Sequence, residues 1–195
     1  QYLHITLWSL LASPLLIAHA ERVGTVEFVV GVSVFVGSAA FLYLASCLYH
    51  ALTRGPAKEV FRIIEHSAIF VLIAGTYTPF MLGALHGPWG WTLVSLIWVL
   101  AVLGVLLKTL SRKTHPLLSL TLYLGMGWLL VVAIRPLMQH VPRPGLALIL
   151  AGGIAYTVGT AFFAAERLRY GHFVWHLFVL AGSTCHFLAV WSYAV

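Results

Sequence analysis

The feature that most constrains this chain is a series of seven apolar runs of about 20 residues, separated by short polar or Gly- and Pro-containing segments. In lipid, a backbone must satisfy its hydrogen bonds internally, so such runs cross a bilayer as helices rather than as open strands. The alternation that a membrane barrel needs is absent. We therefore predict an all-α integral membrane protein, a seven-transmembrane helix bundle forming a single domain over residues 1–195. The predicted spans lie near 3–20, 28–52, 63–84, 90–108, 115–135, 144–164 and 172–194.

Composition excludes a soluble protein, because 61% of the residues are hydrophobic and only 8% are charged. A soluble domain has roughly 45–50% apolar and about 25% charged residues. The net charge of +6 would suggest nucleic acid as the partner of a soluble protein. Here the cations lie in short loops, where they meet anionic lipid. We expect membrane lipids as partners and no nucleic acid, and the sequence leaves the oligomeric state open.

The distribution of Lys and Arg predicts the orientation, because basic residues near span ends are retained on the cytoplasmic side. The even-numbered loops with their flanks hold eight: Arg54, Lys58, Arg62, Lys108, Arg112, Lys113, Arg167 and Arg169. The odd-numbered loops hold three: Arg22, Arg135 and Arg143. We therefore predict a cytoplasmic N-terminus and a C-terminus on the outside.

Four ionisable side chains fall in the cytoplasmic leaflet under this orientation: His50, Glu65, His172 and His176. The i, i+4 spacing of His172 and His176 separates them by about 40° around the helix and about 6 Å along it, so both imidazoles can reach one metal. His50 is the best-placed third nitrogen. Three His ligands plus a water are the open arrangement of catalytic zinc. The alternative is a set of interfacial histidines that bind no metal.

Ser46 and Glu65 are the candidate catalytic residues beside these ligands. Ser46 precedes His50 by one turn and shares its face; it either bonds the carbonyl at i−4 or serves the site. Glu65 either caps the positive end of the third helix or takes a proton from a metal-bound water as general base. We favour the general base, because imidazoles are nearby.

Other polar and small residues are interpreted as scaffold. We expect His66 to point away from the metal, because it lies about 100° around the helix from Glu65. His186 lies ten residues beyond His176, about 15 Å deeper, and is predicted to make an interhelical hydrogen bond. Gly152, Gly153 and Gly159 are predicted to serve small-residue packing.

Several motifs together resemble the hemolysin III family, the bacterial branch of the progestin and adipoQ receptor proteins that include the adiponectin receptors. They are Tyr43-Leu-Ala-Ser-Cys-Leu-Tyr-His50, Glu65-His-Ser-Ala-Ile-Phe70, Ile73-Ala-Gly-Thr-Tyr-Thr-Pro-Phe80 and His172-Phe-Val-Trp-His-Leu-Phe-Val179. The likeness continues through residues 123–128 and 152–157 and covers nearly the whole chain.

The resemblance implies a seven-helix fold in the bacterial inner membrane, with a cytoplasmic N-terminus. It also implies zinc held by His50, His172 and His176, with Ser46 as the serine of the family's S-x-x-x-H motif. The family usually has Asp where this chain has Glu65. The extra methylene leaves open whether Glu65 binds zinc directly or through a water.

The leading functional hypothesis is a zinc-dependent hydrolase of a lipid amide or ester, with the substrate entering from the inner leaflet. It is motivated by the open set of three His ligands; related eukaryotic proteins and the alkaline ceramidases look like zinc-dependent lipid amide hydrolases. Glu65 would carry the proton, and Ser46 or Tyr77 would steady the oxyanion. The alternative is a non-catalytic receptor or regulator with structural zinc, or a cytolysin, as the bacterial family name suggests. Haem is disfavoured because His172 and His176 crowd one helix face.

Overall fold

The computed structural model describes residues 2–85, 87–110, 116–165 and 168–193, without the side chains of residues 2–11 and 116. The described residues form helices and no strand, which confirms the all-α prediction. The helices are α1 Tyr2–Val23, α2 Val26–Ala51, α3 Pro56–Leu82, α4 Pro88–Leu110, α5 Pro116–Trp128, α6 Ile134–His140, α7 Arg143–Ala164 and α8 Gly171–Tyr193. A 3₁₀ turn, Leu129–Ala133, joins α5 to α6.

Six helical segments within the described residues are long and apolar enough to cross a membrane. They are Val26–Ala51, Pro56–Leu82, Pro88–Leu110, Leu117–His140, Arg143–Ala164 and Gly171–Tyr193, of which Leu117–His140 joins α5, the 3₁₀ turn and α6. The first predicted span, 3–20, falls within α1, which is not among these six. The chain is therefore a multi-pass membrane protein, while the count of seven spans and the orientation stay predictions.

Helix α3 begins at Pro56, although its apolar run begins near residue 63. Proline suits the first helical position because its missing N–H has no intrahelical partner to lose there. The early turns of α3 are polar, and Arg62 forms an ion pair of 2.9 Å with Glu59. Hydropathy locates the part of a helix that lies in lipid, so it misses polar turns that continue the same helix.

Residue contacts divide the chain into two compact units, with the boundary between residues 115 and 116; the organisation as one domain stays a prediction. In the first unit, α2 packs against α1 and α3, and α3 packs against α4. Gly31 of α2 permits a close approach to α3, since a Cβ there would lie 2.8 Å from Pro79 Cα. Gly104 of α4 likewise leaves room for the Phe70 ring. Small residues allow helix backbones to approach closely in a membrane.

In the second unit, α7 packs against α8 and α5 packs against α7. Gly152 and Gly159 lie against the rings of His186 and Trp175, as predicted for small-residue packing, whereas Gly153 faces open space. Trp128 donates a hydrogen bond of 3.0 Å from Nε1 to Thr157 Oγ1, which ties the end of α5 to α7.

The predicted interhelical hydrogen bond of His186 is wrong. Its ring stacks on Tyr156 with centroids 5.6 Å apart, and its buried Nδ1 has no hydrogen-bond partner among the described residues. The Tyr156 hydroxyl pairs instead with Ser183 Oγ at 2.9 Å. Because Gly152 leaves space for a flat ring, His186 packs as an aromatic side chain.

Candidate metal centre

His50 lies in the last turn of α2 and is partly exposed. The helix ends one residue later, where Leu52 turns to extended backbone while its N–H still donates to Leu48 O. The Tyr49 ring meets the His50 ring edge to face, with centroids 4.8 Å apart. The imidazole is therefore held at the end of a long span and partly within reach of solvent.

Glu65 lies in the third turn of α3 and is only 4% exposed. Its Oε1 lies 3.7 Å from His50 Nε2, which is too long for a hydrogen bond, and has no hydrogen-bond partner among the described residues. A buried carboxylate without a partner is costly, so this position calls for a proton or a cation.

The structure excludes the alternative that Glu65 caps the start of α3. The helix begins nine residues earlier, at Pro56, and the acidic residue of its first turn is Glu59. Because the helix dipole acts on charges within the first turn, Glu65 lies too far along the helix to benefit. Its burial therefore needs another explanation.

Ser46 lies one turn before His50 and is 3% exposed. Its hydroxyl lies beside the Glu65 carboxyl group, and it makes no hydrogen bond of standard geometry among the described residues. The bond to the carbonyl at i−4, which Thr76 and Thr78 make, is not made by Ser46. Ser46 is therefore not a serine that bonds its own helix backbone, and its hydroxyl can interact with a group at the site.

The second unit carries a pair of imidazoles in the first two turns of α8. The Nε2 atoms of His172 and His176 lie 3.0 Å apart, and their ring planes are nearly perpendicular, at 82°. His172 is exposed and His176 is partly buried. The Phe163 ring of α7 lies beside His172, with centroids 6.5 Å apart. One helix therefore aims two nitrogen ligands at a common point.

The donor atoms of each pair are of the types that zinc binds, and their separations are close to the spacing that it requires. Zinc binds imidazole nitrogen and carboxylate oxygen at about 2.0–2.2 Å, so two tetrahedral ligand atoms lie roughly 3.3–3.5 Å apart. The separations of 3.7 Å in the first unit and 3.0 Å in the second lie on either side of that range. Both pairs belong to the side chains whose donor atoms suit a metal ion.

His66 and Lys58 lie near the site, and the sequence predicts the orientation of the first but not the contacts of the second. The Nδ1 of His66 lies 2.6 Å from Arg62 O, so this ring bonds its own helix, in keeping with the prediction that it points away. The sequence indicates Lys58 only as a loop cation, yet it contacts both Leu52 and Tyr49. No periodicity indicates this contact, because it crosses from α3 to the end of α2.

Comparisons with known proteins agree over most of the chain. A sequence model described as Haemolysin-III related matches residues 2–187. Hemolysin-3 of Bacillus cereus is 45% identical over 181 residues, covering 93% of this chain and 83% of that protein. The Hemolysin-3 homolog of Bacillus subtilis (strain 168) is 43% identical over 189 residues, covering 97% of this chain and 89% of that protein.

A weaker similarity extends to animals. The human Monocyte to macrophage differentiation factor is 27% identical over 164 residues, covering 78% of this chain and 65% of that protein. No solved structure gives a significant match.

Proposed function

The chain belongs to the haemolysin-III-related family, and from that premise we propose that it is a zinc-dependent intramembrane hydrolase of a lipid amide or ester. Membership confirms the resemblance carried by the sequence motifs. In this proposal the lipid substrate enters sideways from the inner leaflet of a bacterial inner membrane. The apolar surface of the helices suits a substrate that arrives through lipid rather than through water.

We propose His50, His172 and His176 as the ligands of one zinc ion. Two facts support the set: the His172–His176 pair converges on one point, and His50 Nε2 lies 3.7 Å from a carboxylate oxygen. The loop charges predict that α2 ends, and α3 and α8 begin, at the cytoplasmic face, which places all three imidazoles in one leaflet. Three His ligands leave an open coordination position, as catalytic zinc requires.

A bound zinc ion would lower the pKa of its water towards about 7 and polarise the substrate carbonyl. Glu65 would accept the proton of the attacking water at its carboxylate and pass it to the leaving group. Ser46 Oγ, beside that carboxyl group, would donate a hydrogen bond to the developing oxyanion or orient the water. Tyr77 of α3, the other oxyanion donor that the sequence suggests, lies twelve residues beyond Glu65, about 18 Å along the helix, which is too far to reach the same oxyanion.

The observation that carries the proposal is the buried Oε1 of Glu65, which accepts no hydrogen bond among the described residues and lies 3.7 Å from His50 Nε2. A merely structural carboxylate would be expected to have a hydrogen-bond donor, since an unsatisfied buried acceptor costs about 1–3 kcal/mol. A general base needs a free oxygen that can take a proton. In this proposal Glu65 Oε1 therefore has an acceptor position for a bound water or a metal ion.

The test combines elemental analysis of purified full-length protein with turnover of an inner-leaflet lipid panel. We expect one zinc per chain in the wild type and none in His50→Ala, together with hydrolysis that His176→Ala lacks. Stoichiometric zinc with no turnover above His176→Ala would overturn the enzyme and leave a non-catalytic receptor or regulator. Full zinc retention in His50→Ala would overturn the ligand set.

A second candidate is a cytolysin, and its support is the name Hemolysin-3 of the Bacillus cereus relative. Release of a trapped dye from liposomes separates it from the hydrolase. Leakage that survives chelation and His172→Ala would support direct permeabilisation. Leakage that depends on zinc and on a cleavable lipid would instead make membrane damage a result of hydrolysis.

A further inference from the structure

Lys58 joins the beginning of α3 to the end of α2, at the connection next to His50. Its Nζ donates a hydrogen bond of 2.8 Å to Leu52 O, the first carbonyl beyond α2. The last carbonyls of a helix have no intrahelical partner, so a cation from elsewhere is a suitable cap. This contact connects residues six positions apart across the turn between two spans.

The same ammonium group lies over the face of Tyr49, with Nζ 4.8 Å from the ring centroid. This distance is within the range of a cation–π interaction, which strengthens where water is partly excluded, and Lys58 is partly buried. The Tyr49 ring in turn meets the His50 ring at 4.8 Å and 69°. An unbroken series of contacts therefore runs from Lys58 through Tyr49 to His50.

Lys58 also lies on the same side of α3 as Glu65, because seven residues make almost two full turns. One side chain on α3 therefore touches the end of α2 and lies on the helix side that carries the carboxylate facing His50. Arg54, in the same connection, is exposed and offers a matched cation outside these contacts.

We infer that Lys58 is a positioning residue that holds the end of α2 against α3 and so sets the His50 imidazole opposite Glu65. The functional importance of this role rests on the proposed function, but all the contacts that support it lie within the first unit. Groups that orient a metal ligand from outside typically change metal affinity by about 10–100-fold when removed.

The experiment compares Lys58→Met, Lys58→Arg and Arg54→Met with the wild type, as full-length protein in detergent. The first measurement is the rate at which diethyl pyrocarbonate modifies His50 in metal-free protein, with His66 as internal reference. The second is Co²⁺ affinity, read from its visible absorption band. We expect Lys58→Met to accelerate His50 modification and to weaken Co²⁺ binding about tenfold. Arg54→Met should match the wild type.

Lys58→Arg should restore most of both properties, because a guanidinium group can also bond Leu52 O and stack on Tyr49. If His50 of Lys58→Met is modified at the wild-type rate, or if Arg54→Met accelerates the modification as much as Lys58→Met does, the inference is overturned.

Tyr49→Leu keeps the hydrogen bond from Lys58 to Leu52 and removes the ring contact. It should therefore accelerate His50 modification by a smaller factor than Lys58→Met. A wild type that binds no Co²⁺ would overturn the proposed function, while accelerated modification of His50 in Lys58→Met would still support the positioning role.

Discussion

The two pairs of candidate ligands are built in opposite ways. His172 and His176 stand on one helix, and their 3.0 Å separation follows from the i, i+4 spacing. His50 and Glu65 stand on different helices, and their 3.7 Å separation exists only because α2 and α3 pack closely. The first arrangement is local and tolerates changes elsewhere, whereas the second depends on every contact that sets the spacing of two helices.

The pairs also differ in burial. Glu65 is buried and its Oε1 has no hydrogen-bond partner among the described residues, whereas His172 is exposed. An exposed imidazole is stable with or without a metal, but a buried carboxylate needs a proton or a cation. We therefore expect metal binding to stabilise the first unit more than the second.

The largest expected effect is loss of the local pair. His172→Ala and His176→Ala should each lower zinc affinity by more than about 100-fold, because loss of a ligand exceeds the loss of an outer-shell contact. The helix should remain, since alanine favours helices. Elemental analysis measures the zinc content, and circular dichroism measures whether the helix remains. Zinc retained at wild-type stoichiometry in either variant would contradict the role of this pair.

Glu65→Gln separates catalysis from stability at the buried pair. Loss of the general base should reduce lipid hydrolysis by about 10²–10⁴-fold. The metal-free protein should instead become more stable by about 1–3 kcal/mol, because an amide is cheaper to bury than an unpaired carboxylate and can donate a hydrogen bond. Turnover and thermal unfolding in chelator measure both. A metal-free variant less stable than the wild type would show that the carboxylate has a structural partner.

Gly31→Ala tests the dependence of the buried pair on helix spacing. The added Cβ would lie 2.8 Å from Pro79 Cα, so α2 and α3 must move apart, at a cost of about 1–3 kcal/mol. Metal affinity should fall as well, because the larger helix spacing moves His50 away from Glu65. Gly159→Ala creates a similar clash, with the Phe178 Cβ at 2.8 Å, but both imidazoles of the second pair move together on α8. It should therefore lower the melting temperature and reduce metal affinity less than Gly31→Ala does, because the two imidazoles keep their mutual spacing.

Gly37→Ala, with open space at its Cβ position, is the matched control and should leave both properties unchanged or slightly improved. Metal titration and thermal unfolding of the three glycine variants are the measurements. Equal losses of metal affinity in Gly31→Ala and Gly159→Ala would remove the contrast between a local and a packed pair.

The smallest effect is expected for Ser46→Ala. Because the Ser46 hydroxyl makes no hydrogen bond among the described residues, its removal should change stability by less than about 0.5 kcal/mol. Turnover should fall about tenfold if the hydroxyl orients the water or the oxyanion beside Glu65. Thermal unfolding and lipid hydrolysis are the readouts. A large loss of stability would instead mean that Ser46 is a packing residue.

Some features of the site follow from sequence and others do not. The proximity of the His172 and His176 imidazoles can be predicted from the sequence, because their i, i+4 spacing on one helix determines it. The lack of a hydrogen bond to Glu65 Oε1 among the described residues cannot be predicted from sequence, because it depends on how closely α2 and α3 bring Ser46 and His50 to the carboxyl group. His186 illustrates the same limit: a buried histidine suggests a hydrogen bond, but Gly152 and Tyr156 instead provide a stacking site. The contacts of Lys58 cross between helices and leave no periodic signal.

By itself, the sequence determined that the chain is a helical, multi-pass membrane protein of this family, because apolar runs in lipid have few alternatives to helices. It also pointed to side chains whose donor atoms could hold a metal ion. Only the tertiary structure decided that α3 extends back to Pro56, that Glu65 is no helix cap and that its carboxylate faces His50. Local periodicity orients groups on one helix, whereas distances between helices depend on how small and large side chains fit together.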